Sequence, residues 1–201
     1  MSHDHYFSKK PHSRDERGKI ITYLRGRRFS FITSGGVFSS KRVDTGTRVL
    51  VENMIIPKEG DFLDLGCGIG VIGIVAASLE PDLRVYLSDI NRRAVQLTGI
   101  NVERLGLENC EVYEGDLYES LGGLVFDSIV SNPPISAGMH DVVYPMVSGA
   151  YDRLVDGGRL QMVIQSNKGG NLLESFFLDV FDTCDVLAKQ SGYRVFTAVK
   201  R

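Results

Sequence analysis

From residue 61 onward, short apolar runs alternate with stretches whose apolar positions recur every three or four residues. The runs "DFLDL", "LRVYLSD", "CEVYEGD", "VFDSIVS" and "GRLQMVIQ" read as strands, while "VIGIVAASLE" and "NRRAVQLTGINVERLG" carry helical spacing. This alternation predicts an α/β protein with a parallel sheet covered by helices on both faces. In "LLESFFLDV", Leu172, Leu173, Phe176, Phe177 and Val180 share one helical face, which is expected to pack on the sheet. "FDTCDVLAKQ" and "GYRVFTAVK" follow as two strands joined around Ser191 and Gly192, so the sheet is expected to end in a hairpin with one antiparallel member.

With 201 residues and 43% hydrophobic content, the chain can bury one good core, which suggests one structural unit with an appendage. The net charge of -2 conceals an asymmetry. Residues 1–48 carry eleven Lys and Arg against four Asp and Glu; residues 49–201 carry twelve against twenty-one. We therefore divide the chain into a basic N-terminal extension, 1–48, and a main domain, 49–201, which together are expected to form one structural unit. The stretches "KKPHSRDERGK" and "LRGRRFSF" mix cations with Tyr23, Phe29 and Phe31, a combination suited to phosphates and unstacked bases. A solvated basic tail is the plainer reading of the same charges. No apolar run approaches the roughly 18 to 20 residues of a membrane helix, and "MSHDHYFSKK" lacks the apolar core of a signal peptide, so a cytoplasmic protein is expected. Cys67, Cys110 and Cys184 form no CxxC pair, and His3, His5 and His12 have no ligand spacing; free thiols and no metal are expected.

The strongest local signal is "DFLDLGCGIGVIGI", a strand, a glycine-rich turn and a helix start, which bring a ligand against bare backbone. Gly68, Gly70 and Gly73 match the dinucleotide pattern GxGxxG, and Asp89 lies 21 residues beyond Gly68, where a ribose-binding acid belongs. The competing reading begins at the acid: Asp64-x-Gly66-x-Gly68-x-Gly70. Asp64 would repel a pyrophosphate at the turn, whereas S-adenosylmethionine carries an ammonium there that a carboxylate welcomes. Asp89, at the tip of "LSDIN", could then accept both ribose hydroxyls. Asp116 in "EGDLYE" could accept from an adenine amino group beside the Leu117 amide, or could cap a helix.

The motifs "DLGCGIG", "SDIN", "GDLY" and "NPPI", in this order over residues 62–135, resemble the class I S-adenosylmethionine-dependent methyltransferases of the small-domain branch. The segment "GGVFSSKRVDTGTRVLVENM" and the later "GYRV" are similar to the ribosomal RNA guanine-N2 methyltransferases of that branch and to their archaeal relatives. The resemblance implies a Rossmann-like fold with a seven-stranded, mostly parallel sheet whose last strand is antiparallel. It also implies S-adenosyl-L-methionine as cofactor. Asp64, Gly66, Gly68 and Gly70 would hold the methionine portion, Asp89 the ribose, and Asp116 and Leu117 the adenine. Cys67, Ile90 and Thr47 complete the implied cofactor set; Thr45 and Thr47 could equally cap the helix of "RVLVENM".

The same resemblance makes Asn132, Pro133, Pro134 and Ile135 the acceptor motif. The Asn132 side-chain oxygen and the Pro133 carbonyl would each accept one N–H of a conjugated amino group, directing its lone pair at the methyl. Ile135 stands where many relatives carry Tyr or Phe, so it offers an apolar floor without a π-face; Phe38 or Tyr193 could supply the ring instead. His140 is a less suitable candidate base, because this transfer needs none. The implied activity is methylation of a nucleobase amine, foremost guanine N2 in ribosomal RNA gripped by the basic N-terminal region. A protein glutamine amide, as in a release factor, is the alternative acceptor, and NAD-dependent oxidoreduction a more distant one. Bacterial relatives with the guanine substrate carry a second, degenerate copy of the fold, so a homodimer is left open here.

Overall fold

The computed structural model describes residues 16–37 and 41–201. A hairpin of β1 (Arg17–Leu24) and β2 (Arg27–Ser34) precedes helix α1 (Thr45–Asn53). Then follow β3 (Gly60–Leu65), α2 (Val71–Leu79), β4 (Leu83–Asp89), α3 (Arg92–Leu105), β5 (Cys110–Glu114) and β6 (Phe126–Ser131). The order ends with α4 (Tyr144–Arg153), β7 (Leu154–Gln165), α5 (Gly170–Phe181), β8 (Asp185–Gln190) and β9 (Tyr193–Val199). Strands β3 to β9 form a seven-stranded sheet in the order β5-β4-β3-β6-β7-β9-β8, with β9 antiparallel to both its neighbours. The expected parallel sheet with one antiparallel strand is therefore present. Its closing turn has Ser191 and Gly192 at φ 53° and 79°, the left-handed pair that a two-residue hairpin loop requires.

Side-chain alternation builds a core on each face. Phe62 enters the core shared by α1, α2, α3 and the hairpin, while its neighbour Leu63 enters the one under α4 and α5. On α5, Leu173, Phe176 and Phe177 are buried on the expected face, and fully burying a side chain of this size stabilises by roughly 1.5–3 kcal/mol.

The hairpin belongs to the first core through Leu24, Phe29 and Phe31. This corrects one expectation: the Phe29 and Phe31 rings stack 6.0 Å apart inside that core and present no face to a base. β1 and β2 alternate, and only their outer positions remain accessible, with Tyr23 63% and Ile21 52% exposed. The Asn101 side chain fastens the hairpin to the rest, accepting the Ile32 N–H at 2.6 Å and donating to the Ile32 and Ile69 carbonyls, both at 3.0 Å. Residues 48 and 49, where the charge asymmetry divides the chain, both lie within α1.

Candidate active site

Strand order reverses between β3 and β6, and in open α/β sheets the crevice at such a reversal, outside the carboxyl ends of the strands, receives ligands. A cavity of about 300 Å³ opens there. The turn after β3 contributes Gly66 and Gly68, the tip of β4 Asp89 and Ile90, the segment after β5 Asp116 and Leu117, and the loop after β6 Asn132, Pro133 and Pro134. Sequence elements far apart along the chain thus meet at one site.

Gly66 and Gly68 adopt φ of 75° and 59°, and a Cβ added to either would meet no protein atom within 4 Å. Bare backbone therefore faces the cavity. Gly70 and Gly73 serve packing instead: a Cβ at Gly70 would come within 2.9 Å of Ile74 and Thr98, and one at Gly73 within 2.6 Å of Leu87. That closeness lets the Gly73 N–H donate to Asp64 Oδ2 at 2.8 Å. Asp64 is fully buried, and its Oδ1 has no hydrogen-bond partner among the described residues. Asp89 accepts the N–H groups of Gly68 and Asn91, each at 2.8 Å, which locks the glycine turn to the tip of β4.

Asp116 does not cap a helix. The following 3-10 turn, Glu119–Leu121, has no side-chain cap; the Glu119 N–H goes to the Asp116 backbone carbonyl at 3.0 Å, and the residue lines the cavity. Leu117 sits at φ 47°, a costly conformation for a branched side chain and one that recurs at ligand sites. The cap of α1 is Asp44, a residue that the sequence reading overlooked: its carboxylate accepts the Thr47 N–H at 3.2 Å. The Thr47 hydroxyl accepts from Asn132 Nδ2 at 2.9 Å. Thr47 and Cys67 line a crevice of about 30 Å³ beside the glycine turn. Burial pushes the Cys67 thiol far up, so it stays protonated.

Pro134, at φ -77° and ψ 80°, forms an inverse γ-turn in which the Pro133 carbonyl accepts the Ile135 N–H at 3.0 Å. One lone pair of that carbonyl remains. Ser131 Oγ donates to the Leu65 carbonyl at 2.7 Å and pins the loop to β3. Ile135 is half-buried against the α4–α5 core and does not line the cavity; Ala137, Val142 and Met146 provide the apolar wall. His140 is exposed, with its ring 5.3 Å from Phe176. The Tyr193 ring packs over Gly46 beside Asp44, and Phe38 lies outside the described residues.

The profile of the Methyltransferase small domain family matches residues 28–197. The chain belongs to this family. The small-domain methyltransferase is 36% identical over 199 residues to the uncharacterized protein YbxB of Bacillus subtilis, covering 98% of each chain. It is 32% identical over 196 residues to Ribosomal RNA small subunit methyltransferase C of Shewanella amazonensis, covering 96% of this chain and 55% of that one. Its fold superposes with a TM-score of 0.82 and 26% identity on the Thermus thermophilus 16S rRNA guanine-N2 methyltransferase RsmC, solved with AdoMet and guanosine, covering 95% of this chain and 52% of that one. The small-domain methyltransferase thus spans about half the length of these ribosomal RNA methyltransferases. It is an S-adenosylmethionine-dependent methyltransferase, and the oxidoreductase reading of the glycines falls away.

The site fits that cofactor on its own terms. Gly66 and Gly68 form a cradle that side chains would fill. Asp64 lines neither cavity, so its carboxylate would act on a bound cation through its field and not by contact; desolvation pushes it up to about 7, with the nearby Asp89 charge adding to the shift. Burial also raises Asp89, against the lowering effect of its backbone hydrogen bonds. Crowded carboxylates of this kind repel a pyrophosphate and favour an ammonium and a sulfonium. Gly68→Ala tests the cradle: a Cβ at φ 59° strains the turn and obstructs the cavity, so affinity for S-adenosylmethionine measured by calorimetry is expected to fall by about tenfold or more. No described helix is long and apolar enough to cross a membrane, and no metal-binding cluster occurs among the described residues.

Proposed function

We propose that this methyltransferase acts in the cytoplasm on an exocyclic amino group of a nucleobase, guanine N2 in ribosomal RNA. The observation that carries this reading is that Asn132 and Pro133 line the same cavity as Gly66, Gly68 and Asp89. Bound there, S-adenosylmethionine supplies an electrophilic methyl on a sulfonium that leaves as a neutral thioether. Asn132 Oδ1 and the remaining Pro133 lone pair accept the two N–H groups of the amine, turning its lone pair toward the methyl. No strong base is required, because the nitrogen gives up its proton to water after the N–C bond forms. Alignment at attack distance contributes on the order of 7 to 11 kcal/mol. The likeness to RsmC, solved with guanosine, favours guanine. Transfer of labelled methyl to RNA and protein fractions tests the reading, with Asn132→Ala as control. Label in RNA that the variant loses supports it; label in a release factor and none in RNA moves the acceptor to a glutamine amide.

The hairpin supplies the RNA grip. Arg17–Ser34 holds five cations and no acid. Arg25 donates to the Val51 and Met54 carbonyls at the end of α1, where the Glu52 carboxylate accepts its backbone N–H at 3.0 Å, and Arg27 donates to the Ser78 carbonyl at 2.6 Å, a neutral partner. Lys19 and Arg28 are exposed, and Arg28 lies opposite Tyr23 in the register. Cations beside an accessible ring suit a single-stranded segment flanking the target. The double variant Lys19→Glu/Arg28→Glu is expected to raise the KM for RNA about tenfold and to flatten its salt dependence, with cofactor affinity unchanged in calorimetry.

A further inference from the structure

The side-chain amide of Asn132 is held in one orientation. Its Nδ2 lies 2.9 Å from Thr47 Oγ1 and 3.2 Å from Asp44 Oδ2. A carboxylate can only accept, so the amide nitrogen and not its oxygen must face Asp44. Both amide N–H groups are thereby engaged on the α1 side, and Oδ1 is the end left for an acceptor role in the cavity that Asn132 lines. The first turn of α1 brings the two partners together: Asp44 Oδ2 also accepts the Thr47 N–H at 3.2 Å. Gly46, between them, has no room for a side chain, because a Cβ would lie 2.8 Å from the Tyr193 ring and 2.9 Å from Asp44 Oδ2.

We infer that Asp44 and Thr47 are positioning residues for methyl transfer, which fix the amide of Asn132 and polarise it so that Oδ1 is a directed, electron-rich acceptor. This rests on the reading of Asn132 as the group that accepts the N–H of the substrate amine. As the N–C bond forms, the amine nitrogen becomes positive and its N–H groups become more acidic, so the bond to Oδ1 strengthens in the transition state. Interactions of that kind raise kcat more than affinity. An anion accepting from the amide nitrogen shifts density toward Oδ1, so Asp44 reinforces the effect through the amide. Thr47 acts on Asn132 and not on the cofactor.

The test uses Thr47→Val, which keeps the shape of the side chain and removes its oxygen; Thr47→Ser, which keeps the hydroxyl; and Asp44→Ser, which keeps a helix cap but cannot reach Asn132. Thr47→Val and Asp44→Ser are expected to lower kcat on RNA by on the order of tenfold to a hundredfold, with the Kd for S-adenosylmethionine within about twofold of wild type, and Thr47→Ser to recover most of the loss. Unchanged kcat in Thr47→Val, or a loss of cofactor affinity that accounts for the whole defect, overturns the inference. A second readout needs no substrate: the Asn132 side-chain NH2 signals, assigned by their absence in Asn132→Ala, should exchange slowly with solvent and do so faster in Thr47→Val. Equal exchange in the two proteins also overturns it. A wild type that is inactive on RNA but shows the protected amide would instead discredit the RNA reading and leave the amide lock standing.

Discussion

Asn132→Ala is expected to lower turnover by on the order of a hundredfold to a thousandfold, the loss seen when one pre-aimed hydrogen-bonding group is removed from the site of developing charge. The oxygen of Asn132 gains strength as a partner only while the nitrogen turns cationic, so the defect belongs in kcat. Cofactor affinity in calorimetry should stay near wild type, because the glycine cradle, Asp64 and Asp89 do not depend on the amide of Asn132. The substitution also removes the bonds to Thr47 and Asp44, leaving the Thr47 hydroxyl and the Asp44 carboxylate without their shared donor. Thermal unfolding of the variant should nevertheless shift little, since Asp44 retains its capping bond to the Thr47 N–H. Turnover within a few-fold of wild type would remove Asn132 from the chemistry.

The second large effect is a pH dependence. The Asp64 carboxyl is raised to about 7, above its ordinary range, chiefly by burial. In the ligand-free protein the folded state therefore holds a proton that the unfolded chain releases, so this residue's contribution to stability is full below about pH 4 and is lost as pH climbs through about 7. A bound cation reverses the preference by favouring the carboxylate. The ammonium of an amino acid keeps its charge below about pH 7.7, so the ligand itself does not change charge between pH 5.5 and 7. Affinity for S-adenosylmethionine should rise about tenfold over that interval, and binding near pH 7 should release part of a proton, visible when calorimetry is repeated in buffers of different ionisation enthalpy. Asp64→Asn should bind weakly and with a much flatter pH profile. An undiminished slope in the variant would assign the titration elsewhere, to the likewise raised Asp89.

Much of this arrangement was legible along the chain, and the remainder was hidden for physical reasons. Strand tips announce themselves through an apolar run that ends in a distinctive residue, which is why Gly66, Asp89, Asp116 and Asn132 could be named before they were seen to share one cavity. Glycine is harder to apportion: the letters of Gly68 and Gly70 are the same, yet one faces open space and the other faces Ile74 and Thr98. Aromatic residues near cations mislead where a strand alternates, since Phe29 and Phe31 point inward while Tyr23 points outward. Ile135 follows Pro134 directly, but the γ-turn and the 3-10 turn after it rotate its side chain onto the core. Asp44 was readable as an Asx cap from "DTGT"; its second bond, to a residue 88 positions later, was not.

The methylated product identifies the acceptor atom. Ribosomal RNA methylated in vitro by the full chain with labelled S-adenosylmethionine can be digested to nucleosides and resolved by chromatography and mass spectrometry. Label is expected in N2-methylguanosine, and is expected to be absent when Asn132→Ala replaces the wild type. Label confined to another methylated nucleoside, or found only in a protein glutamine, would contradict it.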